Sequence, residues 1–164
     1  MPESLRELEN AIAGVAKRSG GPVRREVLLF RFLFFVEQAM SERLNRVLKT
    51  HQLNTTSWFT LIMVYAGADS AVHPSDLSRM TFSSRTNMTR VTDDLVTKGL
   101  LLRHTCAQDR RRVELSLTEA GTALVEELLP DLRGELERLW QDFDAEEMAT
   151  FEALLRKLAA RLEG

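Results

Sequence analysis

The chain has 164 residues, of which 44% are hydrophobic and 28% are charged, and its net charge is −2. This length fits one domain, or one domain with an appended dimerisation region. A single cysteine excludes an internal disulfide framework and suits a reducing compartment. The most apolar stretch, residues 27–36, is too short to span a bilayer, and the N-terminus lacks a signal-peptide pattern. We therefore expect a cytoplasmic protein that does not interact with a membrane.

The first third of the chain is predicted to be helical. Residues 1–18 can form a short helix, which the glycine-rich turn at residues 19–22 would end. Residues 23–50 form one long predicted helix, because apolar residues recur at every third or fourth position. Its start, residues 28–36, is apolar nearly all round, which predicts burial on more than one side, here by a partner subunit.

Three shorter helices follow and are predicted to form a helix-turn-helix. Asn54 or Thr55 would cap the first, residues 56–66. Its buried face is expected to hold one of Trp58 and Phe59, then Ile62, and one of Val64 and Tyr65. The second helix, residues 74–80, begins with proline, which suits a position where no N–H is needed. The third spans residues 83–98.

This third helix has the surface of a recognition helix. Its buried face is marked by four apolar residues at helical spacing, Met88, Val91, Leu95 and Val96. The other side carries short polar and guanidinium groups, which hydrogen-bond base edges and phosphates in a major groove. The candidate DNA-contacting residues are Ser83, Ser84, Arg85, Thr86, Asn87, Thr89 and Arg90. Ser83 and Ser84 also suit the helix N-cap, where free N–H groups can bind phosphate.

A β-hairpin with a basic tip is predicted next. Residues 100–106 and 113–117 resemble strands, and Val113, Leu115 and Leu117 are expected to point inward. Adjacent arginines on an exposed turn suit a narrow minor groove, where negative potential is focused. Asp109 beside them would orient one guanidinium through a bidentate pair. The predicted DNA-contacting wing is Asp109, Arg110 and Arg111.

The distribution of charge supports a nucleic-acid partner although the net charge does not. Between Arg79 and Arg112 there are eight Lys and Arg residues and three Asp residues, a local charge of +5. The remainder of the chain is correspondingly acidic. A basic patch on an acidic body predicts an oriented approach to a polyanion.

Two amphipathic helices are predicted after the hairpin. Thr118 would open the first, whose leucines recur at near-heptad spacing, and Pro130 is expected to bend it near Leu129. Asp144 and Glu147 have the spacing of a capping box before the last helix, residues 145–162. Both helices are too apolar on one face to stand alone.

The hairpin and the recognition helix carry a family resemblance. The pattern D-R-R-x-x-x-L-x-L-T-x-x-G, from Asp109 to Gly121, resembles the wing signature of the MarR family of bacterial regulators. The preceding S-S-R-T-N-x-T-R resembles the recognition helix of its EmrR/MprA branch of efflux repressors. The resemblance covers residues 27–162. It implies an obligate homodimer with interlaced terminal helices, and a crevice for small aromatic acids and phenols.

These features predict a mainly α (α+β) fold, a winged helix-turn-helix with a helical dimerisation region formed by the N- and C-terminal helices. Residues 1–22 would be an N-terminal extension, and residues 54–117 the DNA-binding domain. Residues 23–53 and 118–164 would form the dimerisation region.

Arg31 lies among apolar residues, where a guanidinium must reach an edge, pair with an acid or bind an anion. An ion pair or an extended side chain at the edge is one interpretation. The other is a carboxylate-binding role, with His51, Trp58 and Tyr65 as possible neighbours. Cys106 fits a packed or half-exposed thiol better than a redox sensor, and the three histidines and one cysteine do not form a metal cluster.

No catalytic constellation, phosphate-binding loop or dinucleotide motif is present, so we expect neither an enzyme nor a cofactor. The predicted function is a sequence-specific regulator of transcription, a repressor that binds a pseudo-palindromic operator in double-stranded DNA. A small aromatic or phenolic effector would release it. The alternative is a winged-helix protein-interaction module, which is disfavoured because the outer face lacks an aromatic or aliphatic anchor.

Overall fold

A computed structural model describes residues 3–67, 72–81, 83–105 and 113–162. The chain divides into two compact units, Met1–Arg46 and Val47–Gly164. Among the described residues there are seven α-helices and one two-stranded antiparallel sheet. The predicted mainly helical fold with a small sheet is therefore confirmed, whereas the predicted domain boundaries stay a prediction.

The first unit is built from two helices. Helix α1 spans Glu3–Arg18 and contains no buried residue. It ends in a turn in which Gly20 adopts a φ of +71°, a left-handed conformation that glycine tolerates. Helix α2 spans Arg25–Leu48, and its last two residues belong to the second unit. Its apolar start is open in the single chain, since Phe30 and Phe34 are both exposed.

The long helix is shorter than predicted. Residues 49–51 form a separate 3₁₀ turn, and Gln52 then adopts a φ of 55°. The Gln52 N–H donates to the Lys49 carbonyl oxygen at 3.0 Å, which closes this tighter turn. Helices commonly tighten in this way at their ends, and apolar periodicity cannot detect it.

The second unit contains the predicted helix-turn-helix. Helix α3 spans Thr55–Ala66, α4 Pro74–Met80 and α5 Arg85–Thr97. Asn54 caps α3, because its side-chain oxygen accepts a hydrogen bond from the Ser57 N–H at 2.9 Å. Of the two predicted caps, Asn54 has this role, and the proline at the start of α4 is confirmed.

The buried face of α3 differs from the predicted one. Trp58 and Val64 are buried as expected, but Leu61 is fully buried whereas Ile62 is only half-buried. Helix α3 contacts α5, α6 and the sheet, so the neighbours on several sides decide which residues are covered. The segment is apolar almost throughout, and its sequence therefore does not mark a single stripe.

The sheet consists of β1 (Leu101–Thr105) and β2 (Val113–Leu117), with Arg103 opposite Leu115. Only Leu115 of the three predicted inward residues is buried, whereas Val113 and Leu117 at the strand ends are half-buried. The Leu115 N–H donates to the Val72 carbonyl oxygen at 2.9 Å, so a residue two positions before α4 pairs with the middle of β2. In a sheet this small, the neighbouring elements cover the side chains in the middle of a strand better than those at its ends.

Helices α6 (Glu119–Trp140) and α7 (Ala145–Leu162) complete the chain. Helix α6 continues through Pro130, and the predicted bend at this proline stays a prediction. The capping box is confirmed: the Asp144 N–H donates to the Glu147 carboxylate at 3.0 Å, and the Glu147 N–H donates to Asp144 Oδ1 at 2.8 Å. No helix in the described ranges is both long and apolar enough to cross a membrane.

Candidate nucleic-acid interface

The start of α5 is fixed by serine side chains. Ser84 is the N-cap residue, and its Oγ accepts from the Asn87 N–H at 3.2 Å. Ser83 instead contacts α4, because its N–H donates to the Ser78 carbonyl oxygen at 3.0 Å. Its own carbonyl oxygen accepts from Ser78 Oγ at 2.6 Å. The sequence offered two caps, and the structure shows that Ser84 has this role.

The inner face of α5 packs into the core of the second unit. Met88 and Leu95 are fully buried and Val91 nearly so, as predicted, while Val96 is half-buried. Thr92 is fully buried as well, which its polarity did not suggest. Its hydroxyl donates to the Met88 carbonyl oxygen at 3.0 Å, so the helix itself satisfies the buried group.

The outer face of α5 holds the predicted DNA-contacting residues. Five side chains are exposed, those of Ser84, Arg85, Thr86, Thr89 and Arg90. Ser83 and Asn87 are half-buried. Asn87 Nδ2 donates to Ser83 Oγ at 2.7 Å, and Arg90 Nη2 donates to Asn87 Oδ1 at 3.1 Å. Hydrogen bonds thus connect Ser83, just before the helix, with Asn87 and Arg90 on its polar face.

Some cations of the basic segment are structural. Arg103 on β1 forms an ion pair with Asp93 of α5 and also donates to the Thr92 hydroxyl. Lys98 binds Asp94 at 2.7 Å and the Gln52 carbonyl oxygen at 2.8 Å. Both side chains hold elements together, which a count of charges along the sequence does not reveal. Arg85 and Arg90, by contrast, lie on the exposed face of α5.

The tip of the hairpin lies outside the described residues. This applies to Asp109, Arg110 and Arg111, and also to Cys106, so their predicted roles are untested. The strands on either side are well anchored. His73 Nδ1 lies 2.9 Å from the Val113 carbonyl oxygen, and His104 Nε2 lies 2.8 Å from Ser116 Oγ. The first contact ties β2 to the residue before α4, and the second links β1 to β2.

The predicted effector residues fall in different places. Arg31 is exposed and lines a cavity of about 580 Å³ between α1 and the start of α2, with Leu8, Ile12, Val15, Arg24 and Val27 among its other lining residues. His51, Trp58 and Tyr65 belong to the second unit and do not line this cavity. Trp58 is buried, and the Tyr65 hydroxyl donates to Glu126 at 3.2 Å. This hydrogen bond and the repulsion from the Glu126 carboxylate raise the pKa of Tyr65.

The protein belongs to the winged helix-turn-helix class. The elements that define this class are the helix-turn-helix, the capped helix α5 and the adjoining antiparallel strands. A family model described as "MarR family" matches residues 51–112. The transcriptional repressor MprA of Escherichia coli K12 is 32% identical over 163 residues, which cover 99% of this chain and 93% of the relative. The chain therefore belongs to the MarR family. Its relatives are transcriptional regulators and not enzymes, as predicted.

Solved structures agree with this assignment. A mutant of MarR from E. coli in complex with operator DNA is 28% identical, with a TM-score of 0.70 over 79% of this chain and 92% of that one. AbsC, a MarR family regulator from Streptomyces coelicolor, is 21% identical with a TM-score of 0.76, over 83% and 93% of the two chains. The second likeness shows the fold alone.

Proposed function

We propose that this regulator is a homodimeric repressor that binds a pseudo-palindromic operator in double-stranded DNA. The observation that carries the proposal is the outer face of α5. Exposed Arg85, Thr86, Thr89 and Arg90 stand on a helix whose other side is locked in the core. Such a helix can enter a major groove and present donors and acceptors to base edges without ordering itself first.

The proposed protein dimer is two-fold symmetric, to match a pseudo-palindromic operator, and its terminal helices would form the interface. A dimer would place two α5 helices in successive major grooves and two wings in the flanking minor grooves. The terminal helices offer the material for dimerisation, because Phe30 and Phe34 on α2 and Leu154 and Leu158 on α7 are all exposed in one chain. The MarR relative was solved with operator DNA, which supports a similar target here.

The rival function is binding to an acidic protein. Protein interfaces obtain much of their affinity from a few buried anchors, among which tryptophan and tyrosine are prominent. The exposed outer face of α5 contains hydroxyls and guanidinium groups and no aromatic or aliphatic side chain. The lack of such an anchor on this face therefore favours binding to DNA over binding to a protein.

Selection from a library of duplexes with a randomised centre tests the proposal. We expect the protein to enrich an inverted repeat whose half-sites lie about one helical turn apart. Affinity for the enriched duplex should fall steeply with salt, because bound arginines release counterions from phosphates. Lys157→Ala on α7 serves as a control that should leave both results unchanged. Failure to enrich any sequence, with no salt dependence on random DNA, would favour the protein-interaction module.

We further propose that a small aromatic or phenolic effector releases the DNA. Support comes from the cavity beside Arg31, where an apolar lining is combined with two guanidinium groups, Arg24 and Arg31. Arg31 forms no ion pair with any residue that the structure describes, so an anion would not have to displace a partner. An effector that binds the DNA-free conformation more tightly lowers operator affinity. The decrease cannot exceed the difference between the effector's affinities for the two conformations.

Thermal shift with salicylate as the probe tests this site. The parent should be stabilised and should lose operator affinity in the presence of salicylate. Arg31→Met should keep its melting temperature and its operator binding but lose both responses. Arg25→Met removes an exposed arginine that does not line the cavity, and it should respond like the parent. No stabilisation of the parent, or an unchanged response in Arg31→Met, would exclude this role.

A further inference from the structure

The side chain of Asn87, on the outer face of α5, forms hydrogen bonds with both Ser83 and Arg90. Asn87 and Arg90 are three residues apart and so are neighbours on the surface of α5, whereas Ser83 lies just before the N-cap of the helix. The Asn87 amide donates to Ser83 Oγ at 2.7 Å and its oxygen accepts from Arg90 Nη2 at 3.1 Å. An asparagine that reads adenine needs its own amide donor and acceptor for the base. In this structure one of the two N–H donors and one of the two acceptor positions of the Asn87 amide already have partners within the chain, which ties its orientation to Ser83 and Arg90.

Ser83 in turn contacts α4. The Ser83 backbone is held by two hydrogen bonds to Ser78 of α4, at 3.0 and 2.6 Å. The amide of Asn87 therefore has a fixed support, and it fixes one nitrogen of the exposed Arg90 guanidinium in turn. A guanidinium carries five N–H donors, so the contact with Asn87 leaves enough of them for a bidentate pair. The base edge that suits such a pair in the major groove is the O6 and N7 of guanine.

We infer that Asn87 is a positioning residue that holds Arg90 for reading a guanine, and is not itself the adenine-reading residue of α5. The inference rests on the proposed operator binding and assigns a specificity to it. Pre-orientation matters because a free arginine side chain loses rotamer entropy when it binds. A hydrogen bond made before binding removes part of that loss and fixes which base the arginine can reach.

A double-mutant cycle on the enriched duplex tests the inference. Arg90→Ala should lower the preference for one G·C pair by about 5- to 150-fold, the range typical of a bidentate contact. Asn87→Ala should lower the preference at that same base pair. In the Arg90→Ala background, Asn87→Ala should change nothing further, because the residue that it positions is gone. Independent losses that multiply in the double mutant, or a loss at a different base pair, would overturn the inference.

Asn87→Asp is the matched second variant. Aspartate keeps an oxygen that can accept from Arg90 but has no N–H donor for adenine N7. The preference for the G·C pair should therefore survive in Asn87→Asp, even though the added negative charge weakens binding to all duplexes. Loss of the G·C preference in this variant would overturn the inference, and loss of a preference for an A·T pair would identify Asn87 as a direct reader of adenine. If the parent enriches no sequence, the proposed function itself is wrong, and this result is distinct from a cycle that fails on a functional operator.

Discussion

At the scale of single residues, one glycine sets the distance between the sheet and α6. A Cβ at Gly121 would lie 2.1 Å from the Leu100 carbonyl oxygen and 3.0 Å from Leu117 Cδ2. The same carbonyl accepts the Thr118 N–H at 3.1 Å, while Thr118 Oγ1 donates to the Gly99 carbonyl oxygen and accepts the Gly121 N–H. The glycine at the end of the wing signature is therefore required by close backbone packing.

We predict that Gly121→Ala destabilises the protein by about 1–3 kcal/mol or more, because backbone has to move to admit the methyl group. The midpoint of denaturant unfolding measures the effect. Gly134→Ala in the same helix is the matched control, since a Cβ there meets only the flexible end of Arg138, at 3.8 Å. That change should be neutral or stabilise by up to about 1 kcal/mol through helix propensity. Equal stability of the two variants would contradict the role given to Gly121.

At the scale of elements, the hairpin is fastened to the rest of the winged helix from two sides. Arg103 on β1 binds Asp93 and Thr92 of α5. On the other strand, Val72 pairs with Leu115 and His73 contacts the Val113 carbonyl oxygen. A wing with a fixed base can direct its tip to a groove at a set distance from the recognition helix.

If the tip of the hairpin contacts DNA as predicted, substitutions there should change the affinity for duplexes. Arg111→Ala should weaken binding to every duplex and reduce the slope of log affinity against log salt by about one unit per wing. Simple Coulomb reasoning says that Asp109→Ala should tighten binding, because a negative charge is removed. An orienting role for Asp109 says that binding should weaken. Titration of both variants at two salt concentrations separates these outcomes, and tighter binding of Asp109→Ala at both would refute the orienting role.

At the scale of the whole molecule, the terminal helices expose several large apolar side chains. Helix α7 has no buried residue, and its Leu154 and Leu162 are 59% and 79% exposed. Large exposed apolar faces mark interaction sites. We therefore attribute this surface to the proposed homodimer.

Single charges on α7 test this attribution. Leu158→Glu places a carboxylate on the exposed apolar face and should shift the protein toward monomer or aggregate, because burying that charge in an interface is costly. Lys157→Glu, at the neighbouring exposed position, should leave the assembly unchanged. Sedimentation velocity measures both variants. A Leu158→Glu protein that sediments like the parent would place the interface elsewhere.

The sequence by itself determined the elements whose signals are local. The caps Asn54 and Thr118, the capping box at Asp144 and the first-position Pro74 all act within three residues, so no tertiary knowledge is needed to predict them. The polar outer face of α5 could likewise be predicted, because its inner apolar stripe is clear. Family membership followed from the wing signature together with that helix.

Only the tertiary structure decided which side chains are covered and which partners they have. Leu61 and Thr92 are buried because neighbouring elements cover them, not because of their own periodicity or polarity. Arg103 is a structural ion-pair partner because β1 packs against α5, which brings it to Asp93. The hydrogen bonds that link Ser83, Asn87 and Arg90 likewise depend on the position of Ser83 against Ser78 of α4. Burial and hydrogen bonding between elements arise from distances in space, which a linear pattern does not contain.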